Sequence, residues 1–442
     1  MHILIAYLSR RLPFYYGWVV LGSAGSSMFV RNAAGSLTFA VFVPLIADDT
    51  GWSRALIGGA AAVGGLLATG ASPPVGWAID RYGARVVLVM GLVIIGLSTM
   101  AMAWLSVHIA IFYAALATGR IMFSSPLNVG PATVVGRWFV RQRGRATGLL
   151  FLSHSGGMVV FPLVATWVSV AYGWETAWIV LGLMVYVVAL GPAALLIAQR
   201  PEDVGLLPDG DSPDDVGDPA ETTATSDAQP ADGGIEWTTR QAMRTPALWV
   251  LALGTGFLFL LQSGTNTYQA DLLRSKGIDL ALSQLSIVVN AAGTGIGSLL
   301  WGRVLERVRV SYTYAIVALV MAVACGLFAY GDTVALTFLA AGLFGVAVAG
   351  ILVVPPVAYA NFFGRQSLGT IRGVTEPFTS LGQAIGAVAS GLVYQFAGGS
   401  YTIAFVAYAV MGALTAAALL LARPPRHPAT TADLTAREQA DG

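Results

Sequence analysis

Two arginines sit half-way along runs of apolar sequence, Arg31 in the run 16–44 and Arg120 in the run 109–136. A guanidinium group stays charged in a protein, and its planar fork of N–H donors matches a carboxylate. Each belongs to a polar stripe. Ser23, Ser27 and Arg31 are four residues apart, as are Arg120, Ser124 and Asn128, while Gln262, Asn266 and Gln269 follow at i, i+4 and i+7. Such spacing puts each set on one face of a helix. The chemistry this predicts is non-covalent: reversible capture of a small organic anion in a wet pocket. The same guanidinium groups could instead satisfy carbonyls at helix ends, and the residues alone leave both uses open. His154, in a later apolar run, has an imidazole suited to relaying a proton, or to simple hydrogen bonding in a packed helix. The four histidines are scattered and Cys325 is the single cysteine. No disulfide, metal centre, cofactor or clustered nucleophile is therefore implied, and no enzyme activity. No Gly-x-x-x-x-Gly-Lys-Ser/Thr element is present to bind ATP.

The elements that position these residues are membrane spans. Of the 442 residues 56% are apolar and only 11% charged, where a soluble domain carries about 25%. Runs long enough to cross ~30 Å of hydrocarbon as helix fall at 16–44, 54–78, 86–106, 109–136, 146–171, 176–199, 246–271, 282–303, 311–330, 334–361, 373–396 and 401–422. The first continues too far past Arg10 and Arg11 to be a cleaved signal. Twelve spans in two groups of six predict an all-α membrane protein of two pseudo-symmetric bundles, 1–200 and 245–422. With a cytoplasmic N-terminus, nineteen of the 24 basic residues fall inside and Arg54, Arg274 and Lys276 outside. That asymmetry predicts both termini on the cytoplasmic side, in keeping with a bacterial inner membrane. Residues 201–244, with eleven of the 23 acidic residues, read as an acidic disordered linker, and 423–442 as a disordered tail. The net charge of +1 gives no reason to expect a nucleic-acid partner.

Between the second and third spans lies Gly76-Trp-Ala-Ile-Asp80-Arg81-Tyr-Gly83-Ala-Arg85, and a looser copy, Gly302-Arg-Val-Leu-Glu306-Arg307, follows 226 residues later. Trp138-Phe139-Val140-Arg141 and Phe362-Phe363-Gly364-Arg365 repeat at an offset of 224, as do Pro131 and Pro355. Recurrence at one offset is the mark of two parallel repeats. The Gly76 turn resembles the loop 2–3 motif of the major facilitator superfamily. Tyr15-Tyr16-Gly17-Trp18, Gly51-Trp52-Ser53-Arg54, Trp138 to Gly148 and Arg200-Pro201-Glu202-Asp203-Val204-Gly205 resemble its bacterial monocarboxylate and oxalate:formate antiporter branch. The resemblance implies a secondary transporter working by alternating access, with proton or counter-anion coupling. It also implies that the first, fourth, seventh and tenth helices line the central cavity, and that the turn is a cytoplasmic latch. Gly76, Asp80, Arg81, Gly83 and Arg85, with Gly302, Glu306 and Arg307, are the latch residues so implied.

Glu376 opens the predicted eleventh span; its carboxyl could carry a proton, but its place near the Asp80 turn favours a gate salt bridge. No membrane acid is then legible beside Arg31 and Arg120, which favours anion exchange or a proton carried by the substrate. The chain departs from the branch where Ser36, Thr294 and Ser298 occupy positions that carry charged residues in monocarboxylate carriers, and no basic residue of the eighth or eleventh span answers those of the oxalate carriers. The alternatives are a drug-efflux-like carrier of a neutral or cationic molecule and a transporter-like membrane sensor. The glycines of Gly293-x-Gly295-x-Gly297 and Gly382-x-x-x-Gly386 read as sites of close helix packing.

Overall fold

The computed structural model describes residues 5, 9, 11–104, 108–211, 237–396 and 400–425, and among them there is no strand. The first span is α1 (Gly17–Val30), a 3₁₀ turn (Arg31–Ala34) and α2 (Ser36–Thr50); the second and third are α3 (Arg54–Tyr82) and α4 (Ala84–Ala101). The fourth is α5 (Ile109–Ser124) with α6 (Pro126–Trp138), the fifth α7 (Arg143–Tyr172), and the sixth α8 (Trp174–Val185), a π turn and α9 (Gly191–Leu196). After the short α10 (Thr239–Met243), the second half runs α11 (Pro246–Ser275), α12 (Leu280–Val304), α13 (Val310–Tyr330), α14 (Val334–Phe363), α15 (Leu368–Phe396) and α16 (Thr402–Leu420). Among the described residues, eleven spans are long and apolar enough to cross a membrane. The remaining helix, α15, has the length at 29 residues, but Arg372, Glu376 and Gln383 make it more polar. It starts five residues before the predicted 373, so Arg372 belongs to the helix and Glu376 lies about two turns inside it.

Two of the inner spans are broken where the chemistry was expected. Pro126 has no N–H to donate, so the ladder between α5 and α6 is interrupted at Ser125. In the first span the chain tightens to a 3₁₀ turn at Arg31 and then extends at Gly35 (φ −71°, ψ 157°). Thr38 Oγ1 donates to the Asn32 carbonyl at 2.6 Å, tying α2 back to that turn. Backbone freed at membrane depth must find other partners.

Glycine sets the approach of the helices. Within the second half a Cβ on Gly382 or Gly386 would lie 2.1 or 2.0 Å from the carbonyls of Gly256 or Leu260, and one on Gly293 2.6 Å from that of Gly342. Between the halves the contact is made twice. On α3 and α15, a Cβ on Gly76 would meet the Gly369 carbonyl at 2.3 Å and one on Gly373 the Ser72 carbonyl at 2.6 Å. On α7 and α12, Gly144 faces the Gly302 carbonyl at 2.4 Å and Gly148 that of Ser298 at 2.5 Å. These are the same contacts displaced by 225 or 226 residues, so the repeat seen in the sequence is an interface repeat. Both lie toward the end of the molecule that carries Asp80, Glu306 and most of the arginines, called here the basic end.

The acidic stretch 201–244 is not disordered at its edges. Turns at Glu202–Val204 and Pro208–Gly210 pack against the first half. Tyr15 Oη donates toward the Trp138 and Leu207 carbonyls, both at 3.1 Å. Asp209 accepts from the N–H groups of Val140, Arg141 and Gln142, and Arg141 also pairs with Asp211. Burial, with Asp209 and Glu202 nearby, pushes the Tyr15 phenol well above its usual range, so it remains a donor. At the other edge Trp237 is buried against Phe363 and a Thr238–Gln241 capping box starts α10. The reason is chemical: the acidic groups find unpaired amides and arginines, and one tryptophan finds a core. Residues 212–236, and the predicted tail from 426, lie outside the described residues.

Gly144→Val tests the interface directly. A valine has no room between two backbones here, so the variant should be held open at the basic end. In a Cys325→Ser background, Ser298→Cys, buried in this structure, should then alkylate about tenfold faster or more; an unchanged rate would show that the contact is not required for closure.

Candidate functional site

At the basic end Asp80 works between the halves. Its carboxylate accepts from the N–H of Gly369 at 3.0 Å and from the N–H and hydroxyl of Thr370, both at 2.6 Å. Those amides are in the first turn of α15, so Asp80 caps a helix belonging to the other repeat, where orphan donors and the helix dipole both favour an anion. Arg137 Nη2 closes on the same carboxylate at 2.6 Å and is 1% exposed. Arg137 also donates to the carbonyls of Arg365 and Gln366. Arg81 and Arg85 are not the arginines that Asp80 uses; Arg81 is exposed and Arg85 half-buried. Gly83 itself turns at φ +94°, a conformation that glycine adopts freely.

Glu306 repeats the arrangement more loosely. It accepts from the Arg145 N–H in the first turn of α7, among the charges of Arg145, Arg303 and Arg307. It is exposed, so water shares its charge. A third link, Arg365 to Glu202 at 3.1 Å, joins the second half to the folded edge of the acidic stretch.

At mid-membrane depth the broken spans meet. Arg31, 3% exposed, donates from Nη1 to Asn128 Oδ1 at 2.8 Å and to the Phe123 carbonyl at 3.3 Å. That carbonyl stands just before the Pro126 break. Arg120 Nη1 in turn donates to Ser36 Oγ at 2.9 Å and toward the Ala34 carbonyl at 3.5 Å, at the break of the first span. Each interruption is thus filled by an arginine from the other span. Both guanidinium groups lie on the Phe123 ring, at 4.6 and 5.6 Å from its centroid. Arg31 is largely satisfied; Arg120 is half-buried, and its Nε has no partner.

From Asn128 the network crosses to the second half. Its Nδ2 donates to Glu376 Oε1 at 2.7 Å, and Arg372 Nη1 donates to the Val129 carbonyl at 3.0 Å and toward that of Asn128 at 3.4 Å. Asn128, Arg372 and Glu376, with Tyr359 and Thr255, line a cavity of about 40 Å³, room for a few waters at most. Glu376 therefore does not reach the Asp80 turn. It stands two helical turns deeper in α15, where it is the acid beside the arginines that the sequence did not reveal. Arg372 likewise supplies a buried basic residue on the eleventh span.

The other predicted residues divide. Ser27 is buried and turned onto the Ser23 carbonyl of its own helix; Ser124 is half-buried beside Phe123. Gln269 donates to Ser286 and accepts from Asn290, which also donates to Asn266. These two pair with α12 inside the second half, so the stripe on α11 does not face the cavity as a whole. Gln262 keeps a buried Oε1 without a partner, and the α11 residues that line the cavity are Thr255 and Phe259. His154 is buried with its ring nitrogens 3.3 and 3.4 Å from Arg31 and Nδ1 3.1 Å from Asn32. Arg31 stands between it and Asn128, and a guanidinium does not pass protons; a relay from His154 is not supported. The partners missed were Arg137, Arg372, Tyr359 and Thr255. The i, i+4 pair Arg372 and Glu376 was the available signal, hidden by starting the span too late.

A family model described as Major Facilitator Superfamily matches residues 20–273 and 251–440. Multidrug resistance protein MdtH of Enterobacter sp. (strain 638) is 32% identical over 149 residues, 32% of this chain and 36% of that protein. Monocarboxylate transporter 6 of Mus musculus is 26% identical over 206 residues, 44% of this chain and 42% of that one. The chain thus spans about two fifths or less of the length of these curated relatives. Among solved structures, the human organic anion transporter MFSD10 superposes with a TM-score of 0.68 at 16% identity, covering 92% of this chain and 100% of that one. The proton:xylose symporter XylE superposes with 0.70 at 15%, covering 91% and 94%.

Asp80→Asn should loosen the basic end. It leaves Arg137 buried without its carboxylate and weakens the cap on α15, and losing one member of a buried pair costs about 3–5 kcal/mol. With Ser72→Cys as reporter, buried in this structure, again in the Cys325→Ser background, alkylation should rise roughly tenfold or more, about 1.4 kcal/mol. A rate equal to that of the parent would remove Asp80 from the closure.

Proposed function

The chain belongs to the Major Facilitator Superfamily, and from that premise we propose that it is a secondary carrier moving a small organic anion, a carboxylate, by alternating access. The single observation that carries the choice of cargo is Arg120: a charged fork at membrane depth, half-buried, with a donor unspent. Around it the charge is uneven, since Arg31, Arg120 and Arg372 are set against one carboxylate, Glu376. An anion would restore the balance, and the planar fork gives it two parallel bonds. The named cargo of the monocarboxylate transporter and of the human organic anion transporter points the same way. Arg31, Arg120 and Asn128 are the proposed substrate ligands, with Asp80 and Glu306 as latches. The excess of basic residues on the side expected to be inside, nineteen by the sequence against three outside, argues for the Asp80 end and both termini being cytoplasmic, in the inner membrane of a bacterium. A proton or counter-anion would drive the cycle. No nucleic acid, ATP or cofactor enters it.

A second reading has its own support. The relatives named for multidrug resistance, and the apolar wall of Phe151, Phe259, Ile351 and Leu352 beside Glu376, suit export of a neutral or cationic molecule.

Uptake into proteoliposomes separates the two. Acetate, lactate, benzoate, oxalate or succinate should enter saturably, and Arg120→Ala should lower uptake about 10- to 100-fold, the worth of a hydrogen bond to a charged group. Transport of ethidium with no flux of any of these anions would replace the anion reading with the efflux one.

A further inference from the structure

Asn128 joins opposite charges from opposite halves. Its Oδ1 accepts from Arg31 and its Nδ2 donates to Glu376. Both bonds are charge-assisted, and each polarises the amide in the sense that strengthens the other. The arrangement is an ion pair held apart by one amide, with Glu376 serving as the resident anion of the site. Its surroundings can be named from every side: Arg31 from the first span, Arg372 on its own helix and Tyr359 on α14. Tyr314 stands one hydroxyl further off, through Thr255, and His154 lies beyond Arg31. Glu376 is half-buried and lines the cavity, which has room for a few waters.

Resting on the anion reading, we propose that Glu376 is the proton site that couples this carrier, taking up one proton from water for each monoanion bound. The carboxylate oxygen gains the proton and becomes neutral, the chain through Asn128 loses its charge at one end, and Arg31 and Arg372 are left to an incoming carboxylate. When the anion leaves, the same proton returns to water and Glu376 resumes its place. The sign is fixed by charge: protonation removes a negative group that competes with the substrate, so anion affinity rises as pH falls. By reciprocity, anion binding raises proton affinity by the same factor.

The test is proton uptake on binding, followed with a pH indicator in weakly buffered detergent solution, using the monoanions lactate, benzoate and acetate as probes. The native protein should take up about one proton per monoanion bound and bind it at least about tenfold more tightly in mildly acidic than in mildly alkaline buffer. Glu376→Gln should bind without taking up a proton, and with an affinity that no longer varies with pH. Proton uptake that persists in E376Q would assign the site to another group or to the substrate and overturn the inference. So would binding to the native protein with no proton taken up, a result that needs no variant and leaves the anion reading standing. Failure of the native protein to bind any of the three probes would instead count against the anion reading on which this one rests.

Discussion

An arginine inside a membrane cannot shed its charge, and the architecture follows from where each such charge is answered. Arg31, Arg120, Arg137 and Arg372 all lie in membrane-length helices, and only Asp80 and Glu376 offer them carboxylates among the residues described in those helices. Arg31 and Arg120 are answered in part by carbonyls at or beside the breaks at Arg31–Ala34 and Ser125–Pro126, and Arg372 by carbonyls in the first turn of α6. Each break is a cost in helical bonds offset by an arginine from the neighbouring span. The polar centre and the irregular backbone are therefore one feature, because neither is stable without the other.

The halves meet under a different constraint. A carrier must hold two arrangements close in free energy, so an interface built on large apolar side chains would close once and stay closed. Here the closest contact is backbone on backbone, with glycines on α3, α7, α12 and α15, and among its directional bonds are two carboxylates on two helix ends. The two are unequal. Asp80 has a buried arginine as well as its cap, whereas Glu306 sits exposed among arginines that water screens. Strength at this end is concentrated at the α3–α15 contact, and the α7–α12 contact adds shape more than charge.

Much of this was legible in the sequence, and the part that was not has a physical reason. Apolar runs define spans because the bilayer demands about 20 residues whatever their detail, and the offset of 224–226 survives because both repeats obey that demand. The segments around Tyr15, Trp138 and Pro201 read as three separate motifs of one family branch; folded, they are one contact, with Tyr15 donating toward the carbonyls of Trp138 and Leu207. Pairing between distant segments leaves no periodic trace, so Arg137 could not be matched to Asp80, nor Asn128 to Glu376, 248 residues away. Stripes were also misleading in one respect. Helical spacing says that Gln262, Asn266 and Gln269 share a face, but it does not say which neighbour that face meets, and for Asn266 and Gln269 it is α12.

What links the closed end to the polar centre is the helix α15. It presents Gly369 and Thr370 to Asp80, Arg372 to the carbonyls of α6, and Glu376 to Asn128, all within two turns or about 10 Å. A helix this short is stiff, so these bonds cannot be broken one at a time by separating the halves. Opening the basic end would withdraw α15 from α3 and α6 together. Left uncompensated, the loss of several charge-assisted bonds at about 1.5–3 kcal/mol each would hold the protein shut. On the proposed function, a passenger or a proton that satisfies Arg31 and Glu376 separately would remove part of the cost lying at mid-membrane, leaving the Asp80 cap, the Glu306 contact and the Arg365–Glu202 link to be exchanged for water. The proposed latch and the proposed binding site are in this way joined through one helix, which carries the partners of both Asp80 and Asn128.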